Sequence, residues 1–262
     1  MTYVREIYEF LDSLAPFALA EDYDNVGMLV GSFDAPVHIC AVTLDITEDT
    51  VCYAQERQAD LIISHHPVIF HPIKSVCEGS VAYRLARSGM NAICAHTNLD
   101  LAWGGTNDVL CAMLDLSGTD TLTPVQSEKF CGRIGTLPYP MDPEEFAWHV
   151  SNKLGGVIVR YSNGGKPIKT VGVCSGHGAS FAWEAFRCGA DAFVTSEVKH
   201  DQMLDARRLG LTLLDAGHME TEDPVVDTLL ACMKHQFPTV EFIRVPQDVL
   251  EIKSIGTVKR RE

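Results

Sequence analysis

The chain has 262 residues, 46% of them apolar and 21% charged, enough to bury a sizeable core and too apolar for a disordered chain. Its 21 Lys and Arg stand against 35 Asp and Glu, a formal net charge of −14. That balance repels phosphate backbones and argues against nucleic-acid tracking; the run Lys259-Arg260-Arg261 is too short to reverse it. Nine cysteines, an odd number without a CxxC pair, lie largely in apolar runs such as His38-Ile39-Cys40-Ala41-Val42. They read as reduced, buried thiols. The chain does not open with a basic-then-apolar leader pattern, and no run approaches the ~18 apolar residues of a membrane span. A cytoplasmic protein that does not enter a membrane is expected.

In chain order, Val4, Ile7, Leu11 and Leu14 share one face of a helix over residues 2–14, ended by Pro16. After the turn Asp24-Asn25-Val26-Gly27, a short apolar strand runs to Gly31, and Ile39 to Leu44 forms a second strand. Thr47, followed by Glu48 and Asp49, opens a helix reaching Gln58. Leu61-Ile62-Ile63 is apolar throughout, as a buried parallel strand should be. The plan then recurs. Strand, helix, Ala59-Asp60, strand and Ser64 over 42–64 match strand, helix, Ala190-Asp191, strand and Thr195-Ser196 over 171–196. Each stretch is followed by another helix and strand, leading to Ala95-His96 and to Leu213-Leu214-Asp215. Two βαβ-type halves follow, each expected as a parallel α/β layer, joined near Thr121-Leu122-Thr123-Pro124. The first half covers 1–124 and the second 125–262, whose C-terminal segment can pack back on the first.

In such layers reactive side chains sit beyond the C-terminal strand ends. Four stretches qualify. Ser64-His65-His66-Pro67 offers adjacent imidazoles, which share a site only if the chain leaves strand geometry there; Pro67 favours that. In Ala95-His96-Thr97-Asn98-Leu99-Asp100, Asp100 can bridge two cations, while His96 can ligate, shuttle protons, orient a neighbour or sit as a hydrogen-bonded core histidine. The Gly104-Gly105-Thr106-Asn107 turn that follows opens a helix and is either a phosphate-binding turn or a simple cap. His218 and Glu222 lie four apart, hence on one helical face, and make half a metal site. Ser175-Gly176-His177-Gly178 and Thr195-Ser196-Glu197-Val198-Lys199-His200 combine glycines that allow close approach to a ligand with a lysine that can meet a phosphate. Jointly, His65, His66, Asp100, His218 and Glu222 suffice for two cations with positions left open for water.

Taken in order, several of these stretches resemble the Nif3-like dinuclear-metal family, whose members are often labelled GTP cyclohydrolase 1 type 2 homologues. They are Asp24-Asn25-Val26-Gly27 through Gly31, His65-His66-Pro67, His96 through Asp100, Gly189-Ala190-Asp191 through Lys199, Asp215-Ala216-Gly217-His218, and Glu222. The resemblance implies an α/β fold of two similar, intertwined three-layer α/β/α halves, in a short form without an inserted domain. It also implies metal ligands at His65, His66, Asp100, His218 and Glu222, and a ring-shaped homohexamer. The chain departs from the pattern at three positions. Ser196 stands where a Gly is expected, Met219 where an aromatic residue or His is common, and His177 in a loop usually built of Gly and Ser.

The expected activity is therefore that of a hydrolase with two divalent ions (Zn, Fe, Mn, Ni or Co) acting on a small anionic substrate. His65 and His66 would each hold one ion, Asp100 or Glu222 would bridge, and His96 would transfer protons. With a GTP-like substrate the attack falls on the imidazole-ring carbon of guanine, and with a phosphoester on phosphorus. The alternative is a metal- and ligand-holding ring that acts through partners without turnover.

Overall fold

The computed structural model describes residues 1–122 and 132–250. The expected join over 121–124 passes out of the described residues after Leu122, and Lys259-Arg260-Arg261 lies outside them as well. The chain forms two compact units. One comprises Met1–Ala102 with the described residues from Val225 onward, the other Trp103–Pro224.

The first unit carries a five-stranded sheet in the order Glu241–Arg244, Ile39–Thr43, Leu61–Ser64, Asn91–Cys94, Gly27–Val30. The first four strands are parallel and Gly27–Val30 is antiparallel, so the layer is mixed rather than wholly parallel. Gly27–Val30 comes first of these strands in the chain and closes the edge of the sheet beside Asn91–Cys94. The C-terminal strand Glu241–Arg244 lies beside Ile39–Thr43, which returns the end of the described chain to this unit. Leu61, Ile62 and Ile63 are wholly buried, each side chain contributing about 1.5–3 kcal/mol of hydrophobic stabilisation.

Local signals set the helix ends. The first helix, Val4–Leu14, buries Val4, Ile7 and Leu11. It starts two residues later than the periodicity predicts because Thr2–Tyr3 pair with Pro36–Val37 as a short ladder. Helix Glu48–Glu56 is capped by Thr47, whose hydroxyl accepts the Thr50 amide at 3.1 Å. It stops short of Gln58, which takes the left-handed conformation at φ +55°. Helix Val81–Ser88 begins on the Ser80 hydroxyl and ends on Gly89 at φ +71°.

The second unit holds a six-stranded sheet in the order Ser117–Thr121, Arg133–Met141, Ile168–Val173, Ala192–Thr195, Thr212–Asp215, Arg160–Ser162. Only Ile168–Val173, Ala192–Thr195 and Thr212–Asp215 are mutually parallel, linked by helices Ala182–Arg187 and His200–Leu209; the rest pair antiparallel. Phe146, Val171, Val173, Phe193 and Leu214 are fully buried in this unit.

Register positions the chemistry. In the first unit Thr43 pairs with Ser64 and Ser64 with Cys94. Three segments therefore leave the sheet at one level, carrying Asp45, His65-His66 and His96. In the second, Val173 pairs with Val194 and Thr195 with Asp215, which brings Gly176, Glu197 and His218 to the equivalent edge. Among the described cysteines, Cys40, Cys94, Cys111 and Cys174 are buried as expected, but Cys77 is exposed. Among the described residues no helix is long and apolar enough to cross a membrane.

Candidate metal centre

The strand Leu61–Ser64 ends one residue before His65, so both histidines follow it outside regular strand geometry. Their amides still extend the ladder, His65 N–H to Thr43 O at 3.2 Å and His66 N–H to Leu44 O at 2.8 Å. The two rings stand 5.1 Å apart. His65 is wholly buried, and its Nδ1 lies 2.9 Å from Ala95 O. A carbonyl only accepts, so Nδ1 carries the proton and Nε2 the lone pair. That lone pair faces Asp100 Oδ1 at 3.6 Å. Two acceptor atoms facing each other in a buried setting call for a cation or a shared proton between them.

His66 repeats the arrangement, its Nδ1 2.8 Å from Asp45 Oδ1. So does His96, whose Nδ1 lies 2.9 Å from Asp24 Oδ1. His65, His66 and His96 each offer a ring nitrogen within 4.8 Å of the other two. In all three imidazoles Nδ1 is held by an oxygen, the orientation that second-shell oxygens impose on metal-binding histidines. Asp100 follows His96 by one turn, on helix Thr97–Leu101, its amide donating to His96 O at 3.1 Å.

The Asp24 carboxylate is itself buried. Burial alone would raise its pKa, but hydrogen bonds from His96 and Thr97 and the charge on His96 outweigh it, holding the group down at about 2. Asp24 therefore stays anionic behind His96 at any physiological pH. Burial pushes the neighbouring Cys94 thiol far up, and its Sγ–H donates to His65 O at 3.0 Å.

In the second unit, helix His218–Glu222 places His218 Nε2 3.0 Å from Glu222 Oε2, the pairing that the four-residue spacing predicts. His218 Nδ1 faces Glu197 Oε1 at 3.3 Å, and the other oxygen of Glu197 lies 2.7 Å from His177 Nδ1. The His177 hydrogen bond, reinforced by His218, holds Glu197 below the usual carboxylate range against the opposing effect of burial. Glu197 adopts φ +54°, uncommon for a residue with a side chain.

Gly176 explains the glycine loop. A Cβ there would sit 1.9 Å from Glu222 Oε1 and 3.3 Å from His218 Nε2, so only glycine leaves room for the pair. The close approach expected of this loop is thus to Glu222 itself. Gly176 N–H donates to Thr221 Oγ1 at 3.0 Å, and its carbonyl accepts from the Ser196 amide and hydroxyl, which gives that departure from the family pattern a structural use.

Other expectations come out differently. The Gly104-Gly105 turn donates its Gly104 amide to Asp108 Oδ2 at 2.8 Å, and Asp108 is gripped by the buried Arg133, so this turn is a cap. Lys199 stands exposed at the start of helix His200–Leu209; among the described residues no ion pair joins it to the Glu197 cluster. Asp215 is taken by Arg160 and the Val198 amide. The residues missed are Asp24, Asp45 and Glu197, the oxygens behind three histidines. Asp45 lies just past a predicted strand end, and Glu197 lies just past the repeated Thr195-Ser196. The strand-end rule marks both as candidate positions, but the histidine each one meets lies 20 or 21 residues away.

Comparison with known proteins identifies the family. The Duf34/NIF3 family (NGG1p interacting factor 3) matches residues 2–249. A Clostridium perfringens protein named GTP cyclohydrolase 1 type 2 homologue is 31% identical over 248 residues, covering 92% of this chain and 95% of the relative. A Staphylococcus epidermidis protein of the same name aligns at 26% identity over 324 positions, covering 82% of this chain and 88% of the relative. That alignment is longer than this chain, so the relative carries a stretch missing here, as the short form implies. The crystal structure of Staphylococcus aureus hypothetical protein SA1388 superposes with a TM-score of 0.87 at 26% identity, covering 97% of this chain and 99% of that one. The chain, two mixed sheets with flanking helices and histidine–carboxylate clusters at their strand ends, belongs to the Duf34/NIF3 family.

Proposed function

We propose that this protein is a metal-dependent hydrolase that holds two divalent ions per chain through His65, His66, Asp100, His218 and Glu222. Its substrate is a small anionic molecule of nucleotide or phosphoester type, and its working form a cytoplasmic homohexamer. One observation carries the reading: His65, His66 and His96 converge with every Nδ1 held by an oxygen, beside the carboxylate of Asp100. The donor set fits, since mixed imidazole and carboxylate ligands suit Zn, Fe, Mn, Ni or Co. When bound, such ions polarise the electrophile and acidify water at neutral pH. The name shared by the relatives favours a GTP-like substrate.

The chain's own residues have distinct tasks. His65 and His66 present Nε2 in a fixed tautomer, and Asp100 and Glu222 bring the negative charge that retains cations. His96 takes and returns the proton at Nε2. Its Nδ1 proton rests on Asp24, whose buried anion stabilises the positive charge that forms on the ring.

Replacing His65→Ala together with Asp100→Asn tests the reading. Elemental analysis should show loss of metal, and a panel of nucleotides and phosphoesters should show no turnover. Full activity in a metal-free double variant would end the proposal. Stoichiometric metal with tight ligand binding and no product in the unaltered protein would favour the non-catalytic ring.

A further inference from the structure

Tyr23 and Phe70 form an exposed aromatic pair beside the histidine cluster of the first unit. Tyr23 is 67% exposed and Phe70 37%, which leaves ring surface in water next to the residues that carry the chemistry. Both lie on anchored chain. Tyr23 precedes Asp24, whose carboxylate is fixed by His96 and Thr97. Phe70 follows Ile69, whose carbonyl accepts from Asn25 Nδ2 at 2.6 Å, tying the two loops together. The rings stand 6.5 Å apart with planes at 63°, and Phe70 lies 6.2 Å from the His96 ring at 79°.

Two rings at that angle make a corner. A planar ring laid on the face of one presents its edge to the other, and these are the two arrangements that aromatic pairs favour. Aliphatic side chains would cover the same area without offering a π-face. The distance to His96 is about one ring's width, so a ring held in the corner would bring its substituents to the histidines.

We propose that Tyr23 and Phe70 form the wall that receives the planar heteroaromatic ring of the substrate, while the histidine cluster faces the group that reacts. This inference rests on reading His65, His66 and His96 as a substrate site. It assigns recognition to the ring rather than to the phosphate, and it does not require turnover. Stacking tolerates any base, because every base has a π-face.

The test is a binding comparison on the metal-loaded full chain with guanosine 5′-monophosphate, uridine 5′-monophosphate and ribose 5-phosphate. The last carries the same phosphate and sugar without a ring. The unaltered protein should prefer both nucleotides. Phe70→Leu combined with Tyr23→Leu should weaken nucleotide binding about tenfold or more, leaving ribose 5-phosphate binding and metal content unchanged. Equal affinity for all three ligands in the unaltered protein would overturn the proposal, as would a nucleotide preference that survives in the double variant. Loss of metal in the double variant would also overturn it, since the rings would then be props for the metal site. Ring binding of the expected kind without any turnover would break the hydrolase reading and leave this one standing.

Discussion

Asp60 in the first unit and Asp191 in the second do the same work. One oxygen of Asp60 accepts the His38 and Ile39 amides at 2.7 and 3.1 Å; one oxygen of Asp191 accepts the Lys169 and Thr170 amides at 3.1 and 2.9 Å. Each aspartate's own amide donates to the strand start at 2.8 Å, to Ile39 O and Thr170 O. Each carbonyl accepts from the next strand, from Asn91 and Thr212. Further on, Ala95 donates to Ser64 O and Ala216 to Thr195 O, both at 2.9 Å. Gly89 and Gly210 end the matching helices in the left-handed conformation. The repeated plan seen in the sequence is thus a repeated hydrogen-bond frame.

Chemistry differs where the frame releases the chain. By the same register, His65-His66 corresponds to Ser196-Glu197, and Asp45 to Gly176. In the first unit the loop after the leading strand brings a carboxylate behind His66. In the second the equivalent position is empty of side chain, and Glu222 fills the space from another helix. One frame therefore supports a histidine cluster with carboxylates behind it in one unit, and a histidine–glutamate pair in the other.

That comparison can be broken in graded steps. Gly176→Ala should have the largest effect: the added methyl collides with Glu222, and metal titration should show affinity falling by more than about 100-fold at the second-unit ligands. Unchanged affinity would show that Glu222 is not a ligand. Asp45→Ala, at the equivalent position, removes only the oxygen behind His66. It should cost about 10- to 100-fold in affinity by the same titration. Glu197→Gln should stay near the lower end of that range, since the amide keeps one acceptor for His218.

The smallest effects belong to the frame. Asp60→Ala and Asp191→Ala should each lower stability by about 1–3 kcal/mol in denaturant unfolding at neutral pH, with metal affinity unchanged. For Asp191 the pH dependence has a definite sign. Hydrogen bonds from Lys166 and the Thr170 and Lys169 amides outweigh burial and depress its pKa. Its contribution is therefore full above the ordinary carboxylate range and lost as pH falls through the lowered folded value. The gap between unaltered protein and Asp191→Ala should close on acidification. A gap that widened would reverse the assignment.

Sequence patterns foresee the parts of this molecule that depend on near neighbours. The first helix shows in Val4, Ile7 and Leu11, the buried strand in Leu61-Ile62-Ile63, and the second-unit pair in the four-residue spacing of His218 and Glu222. Strand ends located every proposed ligand. What escaped depends on distant partners. Asp24 meets His96 across 72 residues and Asp45 meets His66 across 21. The need for glycine at 176 arises only when Glu222 arrives from another helix. The antiparallel edge strands escaped for the same reason, because nothing local in Gly27–Val30 or Arg160–Ser162 fixes the direction of a neighbour.

The central claim of the proposed function is that the chain holds two divalent ions. The direct measurement is metal stoichiometry per chain by elemental analysis. It should be made on the protein purified without added metal and then loaded, beside the His65→Ala, Asp100→Asn double variant. Two ions per chain in the unaltered protein, and fewer than one in the double variant, is the predicted result. Two ions retained without His65 and Asp100, or none in the unaltered protein after loading, would contradict it.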